Sequence, residues 1–128
     1  MNILIDTHVF VWLDIEPQKL STNAQQLIAD ANNTIYLSLI SIWEIQIKTQ
    51  LGKLALTAGI PNVIETQRRV NQLQLMTVSL ADILALSTLA NHHRDPFDRL
   101  LIAQAKERNM SLLTNDRHIQ QYNVKALW

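Results

Sequence analysis

The sequence predicts an α/β fold, a three-layer α/β/α sandwich around a central, mainly parallel sheet. Two nearly continuous apolar stretches, residues 3–5 and 35–40, are typical of strands buried on both faces of a parallel sheet. Segments with the helical spacing of apolar residues alternate with these strands, and such alternation is typical of α/β sandwiches. The length of 128 residues and the apolar content of 48% fit one compact domain, residues 1–128.

Each predicted element has its own signal in the sequence. Gly52 follows one helical pattern, while Pro61 and Pro96 fall in the first turns of two others. We predict, in chain order, a strand at 3–5, a helical turn at 8–14, a helix at 22–31, a strand at 35–40, helices at 42–51 and 62–73, a weak strand at 76–78, helices at 80–91 and 97–109, and weak strands at 112–114 and 124–125.

Composition narrows the class of protein and of site. The sequence has no long uncharged apolar run and no basic segment followed by one at its start, so we expect neither a membrane span nor a signal peptide, and a cytoplasmic location. The absence of cysteine excludes disulfides and thiolate metal sites, which leaves oxygen and imidazole ligands and favours hard cations. Because the net charge is zero, a nucleic-acid partner would have to be attracted by local lysines and arginines.

Four acidic residues lie where predicted strands or turns lead into helices. Asp6 and Asp116 follow predicted strands, Glu44 comes shortly after the strand at 35–40, and Asp98 lies at a predicted helix start. Ligands of open α/β sheets bind outside the carboxyl ends of the strands, so a fold that gathers these acids would form a divalent-metal site. Two carboxylates about 5 Å apart repel by about 3 kcal/mol at an effective dielectric of 20. A gathered quartet therefore needs a cation or raised pKa values.

Helix capping is the structural alternative for these acids. Ser41 and Glu44 fit a capping box, Asp95 fits an N-cap, and Asp6 and Asp116 could each cap a short helix. Capping and metal binding are compatible, because a helix N-terminus favours an ionised carboxylate. For Asp95, one helical turn before the fourth acid, we favour the cap over a place in the metal site.

Basic residues lie beside the acids and could hold phosphates, counter the acids or simply be solvated. They are Lys48, one helical turn after Glu44, together with Arg94, Arg99 and Arg117. The histidines carry a weaker signal. We expect His92 and His93 to interact with the carbonyls at the end of the predicted helix at 80–91 rather than with a metal.

Four segments together carry a resemblance to a known family. They occur in the order in which they occur in PIN (PilT N-terminus) domains, and the chain looks most like the VapC-type toxins of toxin–antitoxin pairs. The resemblance extends over nearly the whole sequence, with residues 53–90 similar only in pattern. The segments are Leu4-Ile5-Asp6-Thr7-His8, Ser41-Ile42-Trp43-Glu44-Ile45, the stretch from Arg94 through Asp95-Pro96-Phe97-Asp98 to Ala103, and Leu113-Thr114-Asn115-Asp116.

The resemblance implies a PIN-like fold and a metal-dependent chemistry. It implies that Asp6, Glu44, Asp98 and Asp116 are the catalytic acids and bind Mg²⁺ or Mn²⁺ for hydrolysis of RNA phosphodiester bonds. Thr7 and Thr114 are then candidate supporting groups.

The same resemblance implies partners. It implies an RNA substrate, a homodimer and a small antitoxin protein whose C-terminal segment lies in a groove near the active site. Contact with DNA would come only through that antitoxin. The alternative is a non-catalytic interaction domain that keeps the PIN fold and uses its acids as caps.

Overall fold

Strands and helices alternate along the chain in the computed structural model, which describes residues 1–128. Two short 3₁₀ turns, Pro17–Lys19 and Ala85–Thr88, interrupt this order. The strands are β1 (Asn2–Ile5), β2 (Thr34–Ser38), β3 (Gln74–Met76), β4 (Ser111–Leu113) and β5 (Ala126–Leu127). The helices are α1 (Thr7–Ile15), α2 (Thr22–Ala29), α3 (Leu39–Gln50), α4 (Ile60–Asn71), α5 (Leu80–Leu84), α6 (Pro96–Glu107) and α7 (Arg117–Gln120). No helix is long and apolar enough to cross a bilayer.

The five strands form one sheet in the order β3-β2-β1-β4-β5, and every neighbouring pair is parallel. Leu4 in the central strand pairs with Tyr36 on one side and with Leu112 on the other. The strand order reverses between β1 and β4. The chain adds β2 and β3 on one side of β1 and then crosses to the other side, where it adds β4 and β5. Such a switch point opens a crevice at the carboxyl ends of the strands.

Alternating side chains of the central strand enter two separate cores, one on each face of the sheet. Ile3 and Ile5 belong to the core that includes residues of α1, α2, α3 and α4, whereas Leu4 belongs to the core built largely by α6. All three side chains are fully buried. The predicted α/β/α sandwich is therefore confirmed, and the near-continuous apolar pattern of β1 follows from burial on both faces.

Several predicted boundaries are wrong for local reasons. Helix α3 begins at Leu39, because the Ser38 hydroxyl accepts a hydrogen bond from the Ile40 N–H at 3.2 Å and ends the strand there. Ser41 and Glu44 therefore lie inside the helix and do not form the expected capping box. The helix expected at 80–91 is only α5 followed by a 3₁₀ turn. The third and last strands are also shifted by about two residues from their predicted positions.

The buried carboxylate of Asp82 fixes α5 against α6. It completes a capping box with Ser79 and accepts hydrogen bonds from Gln104 at 3.1 Å and from Arg108 at 2.8 Å, although its side chain is 0% exposed. Replacing Asp82 with alanine removes half of the capping box and the hydrogen bonds from Gln104 and Arg108, which keep only the Thr77 carbonyl as an acceptor. We therefore expect the free energy of unfolding to fall by about 2 to 4 kcal/mol. Urea denaturation measures this loss. The control is Glu65→Ala, which changes an exposed acid. If both variants lowered the free energy of unfolding by the same small amount, the role assigned to Asp82 would be contradicted.

Candidate metal centre

Asp6, Glu44 and Asp98 line one cleft at the carboxyl edge of the sheet, and Asp116 adjoins it through Thr114 and His93. Asp6 directly follows β1, and its N–H donates to the Leu113 carbonyl at 3.1 Å, which holds it against the end of β4. Asp116 comes three residues after β4, while α3 and α6 bring in Glu44 and Asp98. A cleft of about 390 Å³ opens over this edge. Its polar lining includes Asp6, Thr7, His8, Glu44, Lys48, Lys53, Asp95 and Asp98.

The buried carboxylate of Asp6, a residue that is 1% exposed, is held by several hydrogen bonds. One carboxylate oxygen accepts the Thr7 N–H at 2.7 Å, and the other accepts the Thr114 hydroxyl at 2.7 Å. The second oxygen also lies 3.1 Å from His8 Nδ1. The same Thr114 hydroxyl accepts the N–H of Asp116 at 3.0 Å. Thr114 therefore ties two of the acids to the end of β4.

Thr7 has a different task from the one expected. Its hydroxyl donates to the Ser41 hydroxyl at 2.8 Å and so links the start of α1 to α3, while its backbone N–H, rather than its side chain, contacts Asp6. Asp6 is at once the N-cap of α1 and a wall of the cleft. The capping interpretation of this acid is confirmed, and its place in the cleft is compatible with the metal-binding interpretation, which stays a prediction.

Glu44 presents an unpartnered oxygen inside the protein. Its Oε2 accepts a 2.7 Å hydrogen bond from Lys48 Nζ, but its Oε1 is buried and has no hydrogen-bond partner. The residue as a whole is only 4% exposed. The hydrogen bond to Glu44 is the main reason that the pKa of Lys48 is raised. A buried carboxylate oxygen without a partner costs free energy, and a cation would satisfy it.

The pKa of Asp98 is raised by its surroundings. Burial first, and then repulsion from Asp6, Asp95 and Glu44, raise the pKa of Asp98 from 3.8 to about 7, although His93 acts in the opposite direction. A raised pKa of this kind is what we expect of a carboxyl that is buried among other acids.

Asp116 is stabilised as a carboxylate. Burial alone would raise the pKa of Asp116, but hydrogen bonds from His93 and from the His118 backbone lower it below the ordinary value. Its Oδ1 accepts the His118 N–H at 2.8 Å and caps α7, while its Oδ2 lies 3.0 Å from His93 Nε2. Asp116 is thus also both a helix cap and a member of the acidic group.

His93 is the residue at this site that the sequence analysis misplaced. Its Nε2 lies 3.0 Å from Asp98 Oδ2 as well as 3.0 Å from Asp116 Oδ2, and the ligand atoms of these three residues all lie within 4.8 Å of one another. The expected contact with helix carbonyls is wrong, since the preceding helical segment ends at Thr88. The backbone N–H groups of His92 and His93 instead donate to the Tyr122 hydroxyl at 3.0 and 2.9 Å.

Asp95 caps α6, as expected. One of its oxygens accepts the N–H groups of Phe97 at 2.8 Å and Asp98 at 3.1 Å. It also lines the cleft, close enough for its charge to help raise the pKa of Asp98. Asp95 is therefore the N-cap of α6 through one oxygen, and its negative charge acts on Asp98 across the cleft.

The basic residues divide into three groups. Lys48 lines the cleft, and so does Lys53, which the sequence analysis did not single out. Arg94 and Arg117 are exposed beside Asp95 and Asp116. The guanidinium of Arg99 instead donates to the Ala90 carbonyl at 2.9 Å and to the Tyr122 hydroxyl at 3.2 Å, so it holds the loop before α6.

The donor set fits a hard divalent cation. The four acids supply carboxylate oxygens, one of which is buried and unpartnered, and carboxylates are the ligands that suit Mg²⁺ and Mn²⁺. Several converging carboxylates with an open cleft beside them leave room for water and substrate, which a closed cage of ligands would not.

Comparisons with known proteins place this geometry in context. The model of the PIN domain family matches residues 3–125. Ribonuclease VapC22 of Mycobacterium tuberculosis is 30% identical over 124 residues, which cover 94% of this chain and 92% of that protein. The crystal structure of VapBC2 from Rickettsia felis, bound to a DNA fragment from their promoter, aligns with a TM-score of 0.75 and 18% identity over 99% of this chain and 98% of that one. VapBC-1 from nontypeable Haemophilus influenzae aligns with a TM-score of 0.67 and 19% identity, covering 99% and 97%.

Proposed function

The chain belongs to the PIN domain family, and from this premise we propose that it is a metal-dependent endoribonuclease, the toxin of a VapBC-type toxin–antitoxin pair. Residues 1–128 form a single nuclease domain in this proposal. The observation that carries it is the convergence of Asp6, Glu44, Asp98 and Asp116 from four separate segments on one edge of the sheet. The similarity to a ribonuclease over 94% of the chain supports the choice of substrate.

Asp6, Glu44, Asp98 and Asp116 would hold Mg²⁺ or Mn²⁺. Such an ion, when bound, lowers the pKa of a water and neutralises charge on the phosphate oxygens of a phosphodiester. The protein prepares the ligands. Thr114 and the Thr7 N–H fix the orientation of Asp6, and Lys48 holds one oxygen of Glu44 while the other stays buried and unpartnered.

Local positive charge would attract the RNA, because the chain has no net charge. Lys48 and Lys53 line the cleft, and Arg94 and Arg117 are exposed next to its acidic residues. Each can contact a phosphate oxygen. The effect of these contacts would be to place a phosphodiester over the acids, where the acids alone would repel it.

Exposed apolar surface near the cleft suits a protein partner. Trp43 is 59% exposed and packs edge-on against Phe97 at 5.3 Å between ring centroids, directly beside Glu44 and Asp98. A small antitoxin segment covering this surface would block RNA. Leu80, Ile83 and Leu84 are exposed on α5 and would suit a homodimer contact. In this proposal the protein acts on RNA in the cytoplasm and contacts DNA only through the antitoxin.

Cleavage of RNA by the purified protein tests the proposal. Structured RNAs are incubated with the protein in a chelator, in Mg²⁺ and in Mn²⁺, and internal cleavage products are mapped by end-labelling. Products that appear only with the cation are expected. A metal that binds only the native state should also raise the melting temperature. Cation-independent stability together with intact RNA would instead favour a non-catalytic interaction domain.

Asp95→Asn should leave RNA cleavage within about threefold of the parent, because asparagine is an equally good N-cap and the hydrogen bonds to Phe97 and Asp98 can be kept. Single-turnover rates and unfolding free energies of Asp95→Asn and Asp98→Asn are compared. A loss of cleavage as large in Asp95→Asn as in Asp98→Asn would make Asp95 a member of the metal site.

A further inference from the structure

The loop that leads into α6 holds an imidazole between two of the proposed metal ligands. The His93 N–H donates to the Tyr122 hydroxyl at 2.9 Å, and Arg99 donates to the Ala90 carbonyl at 2.9 Å and to the His93 carbonyl at 3.4 Å. Tyr122 and Arg99 therefore hold the backbone of this loop in place. The position of His93 is set by these contacts as well as by its contacts with the acids.

The hydrogen bonds of the ring determine which nitrogen carries the proton. His93 Nδ1 lies 3.1 Å from the Asp95 backbone nitrogen, which can only donate, so Nδ1 acts as the acceptor. In the neutral ring the proton then lies on Nε2, which faces Asp98 Oδ2 and Asp116 Oδ2 at 3.0 Å each. A nitrogen that bears a proton has no lone pair for a metal. In this arrangement the ring is a donor to the acids and cannot act as a ligand.

We propose that His93 competes with the cation for Asp98 and Asp116. Its Nε2–H donates to Asp116 and lies 3.0 Å from the Asp98 carboxylate in the metal-free protein, and it must leave both when an ion takes its place. The inference rests on the metal site of the proposed function and adds a positioning residue to it. His93 keeps the two acids together without metal, and it weakens metal binding by the free energy of the hydrogen bonds that must be broken.

Three matched variants separate competition from other roles. His93→Ala removes the donor, whereas His93→Gln keeps an N–H close to the position of Nε2. His92→Ala alters the neighbouring residue, whose ring packs against Tyr122 at 5.1 Å between centroids and does not contact the acids. Mn²⁺ alone is the probe, and its dissociation constant is measured by calorimetry on each full-length protein. The melting temperature is measured in chelator and in saturating Mn²⁺.

Competition predicts the sign of each effect. Hydrogen bonds to charged groups are strong enough that His93→Ala should bind Mn²⁺ at least about tenfold more tightly than the parent. His93→Gln and His92→Ala should stay within about threefold of the parent, because the first keeps an N–H near the acids and the second leaves His93 unchanged. In chelator His93→Ala should melt below the parent, because Asp116 loses a hydrogen bond and Asp98 loses a nearby donor. Saturating Mn²⁺ should close or reverse that difference.

Other outcomes overturn the inference. Weaker Mn²⁺ binding by His93→Ala would make His93 a ligand, and unchanged binding would leave it a structural residue. Should His93→Ala fail to fold, ¹⁵N chemical shifts of the parent imidazole in chelator decide, since a proton on Nδ1 contradicts the proposal. Absence of Mn²⁺ binding in the parent and all variants would overturn the metal site itself, whereas parent binding with a wrong order of variants overturns only the role of His93.

Discussion

Replacing Asp6 with asparagine is expected to lower the rate of RNA cleavage at least about 100-fold, a loss typical for removal of one preorganised electrostatic group. The reason is that the substitution removes a charge at the most enclosed of the four acids while keeping its shape. An asparagine oxygen can still accept the Thr7 N–H, and the Thr114 hydroxyl can rotate to accept from the new amide. The fold should therefore survive while the affinity for the cation is lost.

Single-turnover cleavage, circular dichroism and melting temperatures with and without Mn²⁺ measure these effects. Asp116→Asn should behave similarly, since Asp116 is joined to Asp6 through Thr114. The matched control is Asp30→Asn, which changes an exposed acid that does not line the cleft. This variant should keep parental activity. Parental cleavage in either site variant would rule out the assigned metal site, whereas loss of native circular dichroism would mean that the acid is needed for folding.

The parts of the fold and site that could be predicted are those encoded by short patterns. The first two strands are buried on both faces, so their apolar runs are visible in the sequence. Asp6 comes directly after a strand, and parallel strands end at the same edge of the sheet, so a local pattern was enough to place it. The order of the four acid-bearing segments supplied the rest of the prediction.

The parts that could not be predicted depend on competition or on distant contacts. Ser38 and Ser41 are equally good caps by type, and only the path of the chain leaving β2 selects Ser38. His93 meets Asp116 across 23 positions of sequence, in a loop held by Tyr122 from near the other end of the chain. No periodicity or spacing records such contacts, because they arise only when the loop before α6 packs against the residues that follow β4.

The metal-free protein is expected to lose stability between about pH 4 and pH 7 because of Asp98. In the unfolded chain this carboxyl loses its proton near its ordinary pKa of 3.8, but in the folded protein its pKa is about 7. Between these values the folded state binds more protons, so raising the pH favours unfolding, and the penalty is complete above pH 7. Asp98→Asn removes the penalty, since the amide stays neutral at every pH.

In chelator at pH 8, Asp98→Asn should therefore be more stable than the parent. Because the side chain is partly exposed, we expect only about a third of the full shift, about 1 to 2 kcal/mol, or roughly 3 to 8 °C in melting temperature. The difference should be small near pH 4 and should vanish below about pH 3, where the carboxyl is protonated in both states. Saturating Mn²⁺ should reverse the order, because only the parent keeps the charge that holds the ion, and RNA cleavage by the variant should be lost.

Urea unfolding at pH 4, 6 and 8, with chelator and with Mn²⁺, tests the whole pattern on one pair of proteins. Glu65→Gln, an exposed acid on α4, is the control and should show no such crossing. A residue whose neutralisation raises stability and abolishes turnover is retained for chemistry and not for folding. If Asp98→Asn is instead less stable than the parent at pH 8 in chelator, the crowding of the acids is not what governs this carboxyl, and its contact with His93 would have to outweigh the repulsion.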